Sequence, residues 1–366
     1  MVGIAVGALA VFARPGASAA DLTGFPRLAF LVAPDEVTPS LVGRLKERGA
    51  GALVVVLDAQ WPRDRYGAVQ TLADAAELPL YGWIEVGRNP VLAEQHPELL
   101  ASIGAHADWR RRFPAFPAVP ADSVVKAFPW VPIWYRRAYS LHLERVRRLV
   151  RVGPPRLAGV LLNDLQGAPS ACGCGNDQCR WTVDYRVPST AQRFAEADTP
   201  ARFVAEVRRL VPGRPVIPVW TAECEEVDQA EHGQSTGYCA TVGCYRGACW
   251  RRYAEQLRPL AHATEDPIGV AAFSKSFGRD RAPYDRPGGW IGPLVDSFVR
   301  LPVVDEPGVP AGRLVVVLEG WNGDRQRIAA ELQQCAAAGV MGTVVAITPV
   351  DQGWTPRIVR RKPPPS

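Results

Sequence analysis

The chain has 366 residues, of which 47% are hydrophobic, and its formal net charge is +5 at pH 7. This hydrophobic fraction is typical of a globular protein with a buried core and excludes a largely disordered chain. The charge is small for this length, and the arginines are scattered along predicted helices, so the sequence does not indicate a nucleic-acid partner.

The first 20 residues have the layout of a secretory leader. An apolar stretch of about ten residues is followed by a helix breaker at Pro15 and by small residues, Ala17 and Ala19, in an A-x-A arrangement. Basic residues are missing before the apolar stretch, so a short membrane anchor is the alternative. No later segment is long and apolar enough to span a bilayer. The sequence therefore predicts a secreted or periplasmic protein whose mature chain is not stably inserted in a membrane.

From Leu28 onward, short aliphatic or β-branched runs alternate with longer amphipathic stretches, which is typical of strand and helix units in a parallel sheet. Eight runs are predicted as strands: residues 28–32, 52–58, 80–86, 157–164, 215–221, 268–274, 314–320 and 342–348. We therefore expect an α/β fold, a (β/α)8 TIM barrel over residues 21–351, with a disordered tail at 352–366. The alternative, an open doubly wound sheet, requires a glycine-rich first turn, and LVAPDEVTP is not one.

Long insertions follow the third, fourth and fifth predicted strands, on the side where a barrel builds its binding face. Seven of the eight cysteines lie between Cys172 and Cys249, within or just after these loops. We expect disulfides that staple the loops, as suits an exported protein. The alternative is a structural zinc site held by four thiolates, Cys172, Cys174, Cys179 and Cys224. Cys335 lies alone in an apolar helical pattern and is predicted to be a small buried hydrophobe.

Polar and aromatic residues follow most of the predicted strands and, in a barrel, would converge at one end. The candidates are Asp58, Trp61, Trp83, Glu85, Arg88, Asn163, Asp164, Trp220, Glu223, Lys275, Glu319 and Trp321. Carboxylates provide an acid, a base or a nucleophile, and indole rings stack on sugar faces, so this combination favours a carbohydrate substrate. The histidines lack the H-E-x-x-H spacing, and the sequence implies neither a catalytic metal nor an organic cofactor.

With YGWIEVGRNP after the third strand, GVLLND on the fourth and LEGW on the seventh, the chain resembles secreted bacterial glycoside-hydrolase-like (β/α)8 barrel proteins. In the large retaining clan of these enzymes, an Asn-Glu pair ends strand four and supplies the acid/base, and a glutamate ending strand seven is the nucleophile. The resemblance therefore implies that Asn163 and Asp164 occupy the first position and that Glu319 occupies the second.

The fourth strand departs from that pattern, because Asp164 stands where the clan has a glutamate. Consecutive strand residues point to opposite faces, so Asn163 and Asp164 both reach the site only if the strand has ended or bulged there. Other glycosidase barrels have a nucleophilic aspartate on strand four, and in that arrangement Asp164 is the nucleophile and Glu223 or Glu319 is the acid. The sequence leaves both assignments open.

The resulting hypothesis is a glycoside hydrolase, or a close relative, that acts on a poly- or oligosaccharide through paired carboxylates. One alternative is a barrel that binds carbohydrate without hydrolysing it, which the aspartate on strand four would explain. The other alternative is a secreted scaffold or adhesion module, in which the cysteine-rich loops form the working surface.

Overall fold

A computed structural model describes residues 24–96, 99, 101–102, 123–126, 131–165, 182–183, 194, 198–221, 248–273, 289, 291–300, 307–321, 323–350 and 357–360. Eight parallel strands lie within these ranges and correspond one to one with the predicted runs. They are β1 (Leu28–Val32), β2 (Ala52–Val56), β3 (Leu80–Glu85), β4 (Gly159–Asn163), β5 (Val216–Thr221), β6 (Ile268–Ala272), β7 (Leu314–Glu319) and β8 (Gly342–Ala346).

The eight strands form a closed barrel in which each strand pairs with its neighbours in chain order and β8 pairs with β1. Every pairing in the barrel is parallel. The expectation of a (β/α)8 barrel is thus confirmed, and the open sheet is excluded because an open sheet has two unpaired edges.

Helices follow the strands along the chain, as the amphipathic stretches predict. The described ones are α1 (Pro39–Glu47), α2 (Arg63–Ala75), α3 (Pro90–Gln95), α4 (Arg136–Val152), α5 (Thr199–Leu210), α6 (Ala248–Ala263), α7 (Ile291–Arg300) and α8 (Arg325–Ala337). Three of them begin at a side-chain cap: the side-chain oxygens of Thr38, Asn89 and Asp324 accept hydrogen bonds from backbone N–H groups in the first turns of α1, α3 and α8.

Side chains of the strands alternate between two apolar layers. Inside the barrel, residues such as Leu31, Trp83, Leu161 and Val317 pack together and fill the lumen. Their neighbours along the strands, such as Leu318, pack outward against the helices in a second, larger cluster. Because the lumen is filled, a ligand site has to lie at an end of the barrel rather than along its axis.

Two short antiparallel ribbons connect the segments outside the barrel. Ala101–Ser102 pairs with Thr182–Val183, which joins the insertion after β3 to the insertion after β4. Arg357–Arg360 pairs with Ser123–Lys126 of the first insertion. The prediction of a disordered tail at 352–366 is therefore wrong for these four residues, because their backbone groups are taken up by a strand partner.

The cysteine cluster lies almost entirely outside the described residues. Cys172, Cys174, Cys179 and Cys224 are not described, so neither the disulfide interpretation nor the zinc alternative gains support, and no disulfide occurs among the described residues. Cys335 is a buried free thiol on α8, as its apolar surroundings predicted. Within the described part of the chain, none of the helices has the length and hydrophobicity needed to cross a membrane.

Candidate active site

The candidate site lies at the carboxyl ends of the barrel strands, which we call the mouth. Glu85 is the last residue of β3, and its side chain is only partly exposed. Both carboxylate oxygens are held: Oε1 accepts a hydrogen bond from Trp83 Nε1 at 2.7 Å, and Oε2 accepts one from Asn163 Nδ2 at 2.8 Å. Because Glu85 and Asn163 are paired in register on adjacent strands, strand pairing itself brings these groups together.

Asp164 follows Asn163 directly but lies outside the strand. Its φ angle is +56°, which is unusual for a residue other than glycine, and β4 ends at Asn163. This turn is the condition under which the sequence allowed both residues to reach the mouth. The Asp164 carboxylate is fully buried and forms an ion pair with Arg88, with 3.4 Å between Oδ2 and Nε.

These surroundings change the acidity of Glu85. Burial, reinforced by the negative charge of Asp164, raises the pKa of Glu85 from 4.5 to about 7, although Arg88 and the two hydrogen-bond donors partly oppose the rise. A carboxyl group with this pKa is populated in both protonation states near neutral pH, which is the property required of a general acid or base.

A helix arginine holds the backbone at Glu85. Arg145 of α4 donates from Nη1 to the carbonyl oxygen of Glu85 at 2.7 Å, and its Nη2 lies 3.4 Å from Asp58 Oδ2. Asp58 is in turn bound by Tyr66, whose hydroxyl oxygen accepts from the backbone N–H of Asp58 at 2.9 Å. This network fixes the ends of β2 and β3 relative to each other and leaves the Asp58 side chain 27% exposed at the mouth.

The end of β7 has a related arrangement. Arg327 of α8 donates from Nη2 to the carbonyl oxygen of Glu319 at 2.7 Å. Its Nη1 bonds the carboxylate of Glu331 at 2.9 and 3.1 Å. Burial raises the pKa of Glu331 to about 7, and the Arg327 charge opposes that rise. Glu319 itself is fully buried.

The strand register places Glu85 and Glu319 at the same height on opposite walls of the mouth. Pairing leads from Glu85 through Asn163, Val219 and Gly269 to Val315 on β7. In an eight-stranded barrel with a shear of eight, the residue at the same height along the barrel axis is not the paired residue itself. It lies one position further along the chain for each strand that is crossed. Four strands separate β3 from β7, so the residue level with Glu85 lies four positions beyond Val315, which is Glu319.

Both side chains also point into the lumen. Trp83 and Val317 precede Glu85 and Glu319 by two residues, and both belong to the cluster that fills the barrel. Since alternate strand residues share a face, Glu85 and Glu319 both occupy lumen-facing positions above this apolar floor.

The tryptophans are arranged differently from the sequence expectation. Trp83 and Trp220 are completely buried, so neither ring is free to stack on a sugar. Trp83 lies in the lumen and donates a hydrogen bond to Glu85. Trp220 packs in the outer cluster, because it directly follows lumen-facing Val219 on the strand and so points to the opposite face. The prediction that Trp220 lines the mouth is therefore wrong.

The other two tryptophans differ from each other. Trp61 is partly buried against the outer cluster. Trp321, after β7, is partly exposed above the lumen cluster and makes an edge contact with Phe273, with 5.1 Å between ring centroids. Trp321 is therefore the candidate that combines the mouth position with an accessible ring.

Two further candidates, Glu223 and Lys275, lie outside the described residues. Within the described ranges, no group of three or more His, Cys, Asp or Glu residues is arranged to hold a metal ion.

Comparison with known proteins gives similarity of fold alone. No known protein family matches the sequence, and no curated protein matches it. An endo-1,4-β-D-mannanase from Thermotoga petrophila is similar over 90% of both chains, with 11% identity and a TM-score of 0.49. A D-psicose 3-epimerase is similar over 90% of this chain and 87% of its own, with 9% identity and a TM-score of 0.37.

A dihydropteroate synthase from Thermus thermophilus is also similar, over 89% of this chain and 90% of its own, with 11% identity and a TM-score of 0.35. All three scores lie below 0.5, and a barrel of this kind supports many chemistries. The function of this chain must therefore be inferred from its own residues.

Sequence reasoning missed the two helix arginines, Arg145 and Arg327. Each is largely buried although it lies on an amphipathic helix, with 11% of its side chain exposed. A signal was available for Arg145, which is flanked by the buried helix residues His142, Val146 and Leu149. A charged residue within a buried stripe needs a partner, and that requirement points toward the site.

Proposed function

We propose that the chain is a glycoside hydrolase that acts on a poly- or oligosaccharide, with Glu85 as the proton donor and Glu319 as the opposed carboxylate. The observation that carries the proposal is the placement of two glutamates at equal height on opposite walls, one of them with a pKa of about 7. As the leader-like first residues predict, the proposed enzyme is exported.

Hydrolysis of a glycosidic bond needs one protonated carboxyl group and one ionised carboxylate on opposite sides of the sugar. Glu85 would donate its proton to the leaving oxygen as that bond breaks. Glu319 would then either attack the anomeric carbon or remove a proton from an attacking water. The first route requires carboxyl groups about 5 to 5.5 Å apart, and the second requires about 6.5 to 9.5 Å.

This assignment differs from the one that the resemblance implied, because Glu85 takes the role expected of Asp164. Asp164 is already engaged in an ion pair with Arg88. Glu85 is partly exposed and is aimed by two donors. We assign to Trp321 the stacking of a sugar ring and to Asp58 the binding of sugar hydroxyl groups.

The test is hydrolysis of a panel of aryl glycosides and oligosaccharides by the wild-type chain and by Glu85→Gln and Glu319→Gln. We expect losses of roughly 100- to 10,000-fold in kcat/KM for each variant. Wild-type activity should fall as pH rises through about 7, because Glu85 must be protonated to act. Asp74→Asn, which removes a surface carboxylate paired with Arg156, is the matched control and should retain full activity.

The same panel separates hydrolysis from binding alone. If the wild-type chain binds an oligosaccharide in calorimetry but hydrolyses none of the panel, the barrel is a carbohydrate-binding protein and the catalytic proposal is wrong. Equal activity of the wild type and the two glutamine variants would contradict the assignment of both residues.

A further inference from the structure

The insertion after β3 leaves the barrel just beyond Glu85 and returns at Val131, where its two ends are hydrogen-bonded to each other. The backbone N–H of Val131 donates to the carbonyl oxygen of Gly87 at 2.8 Å. Both residues are buried, so their backbone groups are shielded from water and depend on protein partners. We call this pair, Gly87 and Val131, the neck of the insertion.

One face of α4 holds both the neck and the end of β3. His142 and Arg145 lie three residues apart on this helix and therefore project from the same side. His142 Nε2 lies 2.7 Å from the carbonyl oxygen of Val131. Arg145 Nη1 donates to the carbonyl oxygen of Glu85, also at 2.7 Å. Together with the bond across the neck, these contacts close a ring that runs from Glu85 through the neck to α4 and back.

The contact with Val131 fixes the chemical form of His142. A carbonyl oxygen can only accept a hydrogen bond, so Nε2 carries the proton of the neutral ring. Burial, aided by the charge of Arg145, lowers the pKa of His142 to about 4, so the ring is neutral near neutral pH. Nδ1 is buried and has no hydrogen-bond partner in the part of the chain that the structure describes. The imidazole is therefore anchored through Nε2.

We propose that His142 is a positioning residue for Glu85, which acts through the neck and together with Arg145. Without the bond from His142, the neck loses its tie to α4, and the segment that starts two residues after Glu85 is freed to move. This role rests on the proposed function, because Glu85 is the residue whose placement matters there. It adds to that function a residue that lies on a helix outside the barrel and does not contact the substrate.

Charged groups lie close to this ring. The charge of Arg145 acts on both His142 and Glu85. Arg88 comes directly after the first residue of the neck and is paired with Asp164, with 3.4 Å between Nε and Oδ2. A test that removed one of these charges would change the electrostatics of Glu85 as well as its position. The test therefore changes the neutral His142 and leaves every one of these charges in place.

Two amide substitutions separate the hydrogen bond from the bulk of the ring. The amide nitrogen of glutamine can take the place of Nε2, whereas that of asparagine reaches only the place of Nδ1. His142→Gln should therefore keep the bond to Val131, and His142→Asn should lose it. Val146→Ala removes buried methyl groups from the same helix and is the control for general destabilisation.

Trp83 reports on Glu85, because its indole N–H donates to Glu85 Oε1 at 2.7 Å. The experiment is a pH titration of the full chain labelled with ¹⁵N-tryptophan, with the Trp83 resonance identified from its absence in Trp83→Phe. The midpoint should be near 7 in the wild type, in His142→Gln and in Val146→Ala. In His142→Asn it should fall by about one unit, because a loosened neck admits water to a carboxyl group whose burial raises its pKa.

Amide hydrogen exchange measures the neck directly. In His142→Asn the amide of Val131 should exchange about 10-fold faster than in the wild type, whereas the amides of β7, on the opposite wall, should keep their rates. Faster exchange by the same factor in both places would show a general loss of stability and would contradict a role through the neck.

Equal shifts of the midpoint in His142→Gln and His142→Asn, or no shift in either, would overturn the inference. If His142→Asn does not fold, the ¹⁵N shifts of the His142 ring in the wild-type chain decide: a proton on Nε2 supports the ring of hydrogen bonds, and a proton on Nδ1 contradicts it. None of these readouts needs a substrate. A shift confined to His142→Asn without any hydrolysis would therefore reject the proposed function alone, and hydrolysis without that shift would reject the role of His142 alone.

Discussion

The two walls of the mouth use the same backbone device and differ in what surrounds the carboxyl group. At each wall a helix arginine donates to the carbonyl oxygen of the glutamate at 2.7 Å, Arg145 to Glu85 and Arg327 to Glu319. The β3 wall adds an indole, an amide and an ion pair around the Glu85 side chain. The strand ends therefore fix where the two glutamates lie, whereas neighbouring side chains give one of them the acidity of a proton donor.

The largest expected effect is a difference between the Glu85 and Glu319 variants in how their activity depends on the leaving group of the substrate. A proton donor matters most when the leaving group is poor, because a good leaving group departs without protonation. Glu85→Gln should therefore lose roughly 100- to 10,000-fold in kcat/KM on alkyl glycosides and oligosaccharides but only a few-fold on dinitrophenyl glycosides. Glu319→Gln should lose activity on both groups of substrates. Steady-state kinetics measure this, and an equal leaving-group dependence in the two variants would contradict the roles assigned here.

The second prediction concerns stability. The folded-state pKa of Glu85 is about 7, above the ordinary 4.5, so the folded chain binds this proton more tightly than the unfolded chain. Its contribution to stability is therefore present below about pH 4.5 and is lost as pH rises through 7. Between pH 4 and 8, Glu85→Gln should gain roughly 2 to 3 kcal/mol in free energy of unfolding relative to the wild type.

Denaturant unfolding at the two pH values measures this difference. A constant difference between variant and wild type across the range would contradict the raised pKa of Glu85.

The third prediction compares the two arginines. Removing either in Arg145→Met or Arg327→Met should destabilise the fold by about 1.5 to 3 kcal/mol, since each loses a charged hydrogen bond to a strand end. Both variants keep Glu85 and lose stability through it as pH rises through 7, but the Arg327 variant should lose more, because buried Glu331 then has to ionise without its partner. Thermal unfolding from pH 6 to 9 tests this, and parallel pH curves for the two variants would count against it.

The smallest expected effect distinguishes the carboxylate partners of the two arginines. The pair between Arg145 and Asp58 is longer, at 3.4 Å, and Asp58 is 27% exposed, whereas Glu331 is fully buried. Asp58→Asn should therefore reduce the free energy of unfolding by no more than about 1 kcal/mol. A loss above about 3 kcal/mol in chemical denaturation would show that Asp58 is as tightly integrated as Glu331.

The barrel could be predicted from the sequence because its signal is local. Each of the eight apolar runs became a strand, and turns or helices follow where the runs end. The positions of Glu85, Asn163 and Asp164 at the mouth followed from those strand ends. The contact between Trp83 and Glu85 was also within reach, since residues two apart on a strand share a face.

Other features could not be predicted because they depend on how the eight strands close into a barrel. Strands of a parallel barrel are apolar on both faces, so the run VIPVWT does not reveal whether Val219 or Trp220 faces the lumen. The pairing of Glu85 with Glu319 across the mouth depends on the register summed over four strands. The ion pair between Arg88 and Asp164 joins two loops, and no periodicity in the sequence encodes it.

The ribbon between Ser123–Lys126 and Arg357–Arg360 has a consequence for how the chain is made. The first of these segments leaves the ribosome more than 200 residues before its partner. At translation rates of about 5 to 20 residues per second, it has no partner for at least ten seconds or so. The insertion beside the mouth can therefore be completed only after all eight barrel strands have been synthesised.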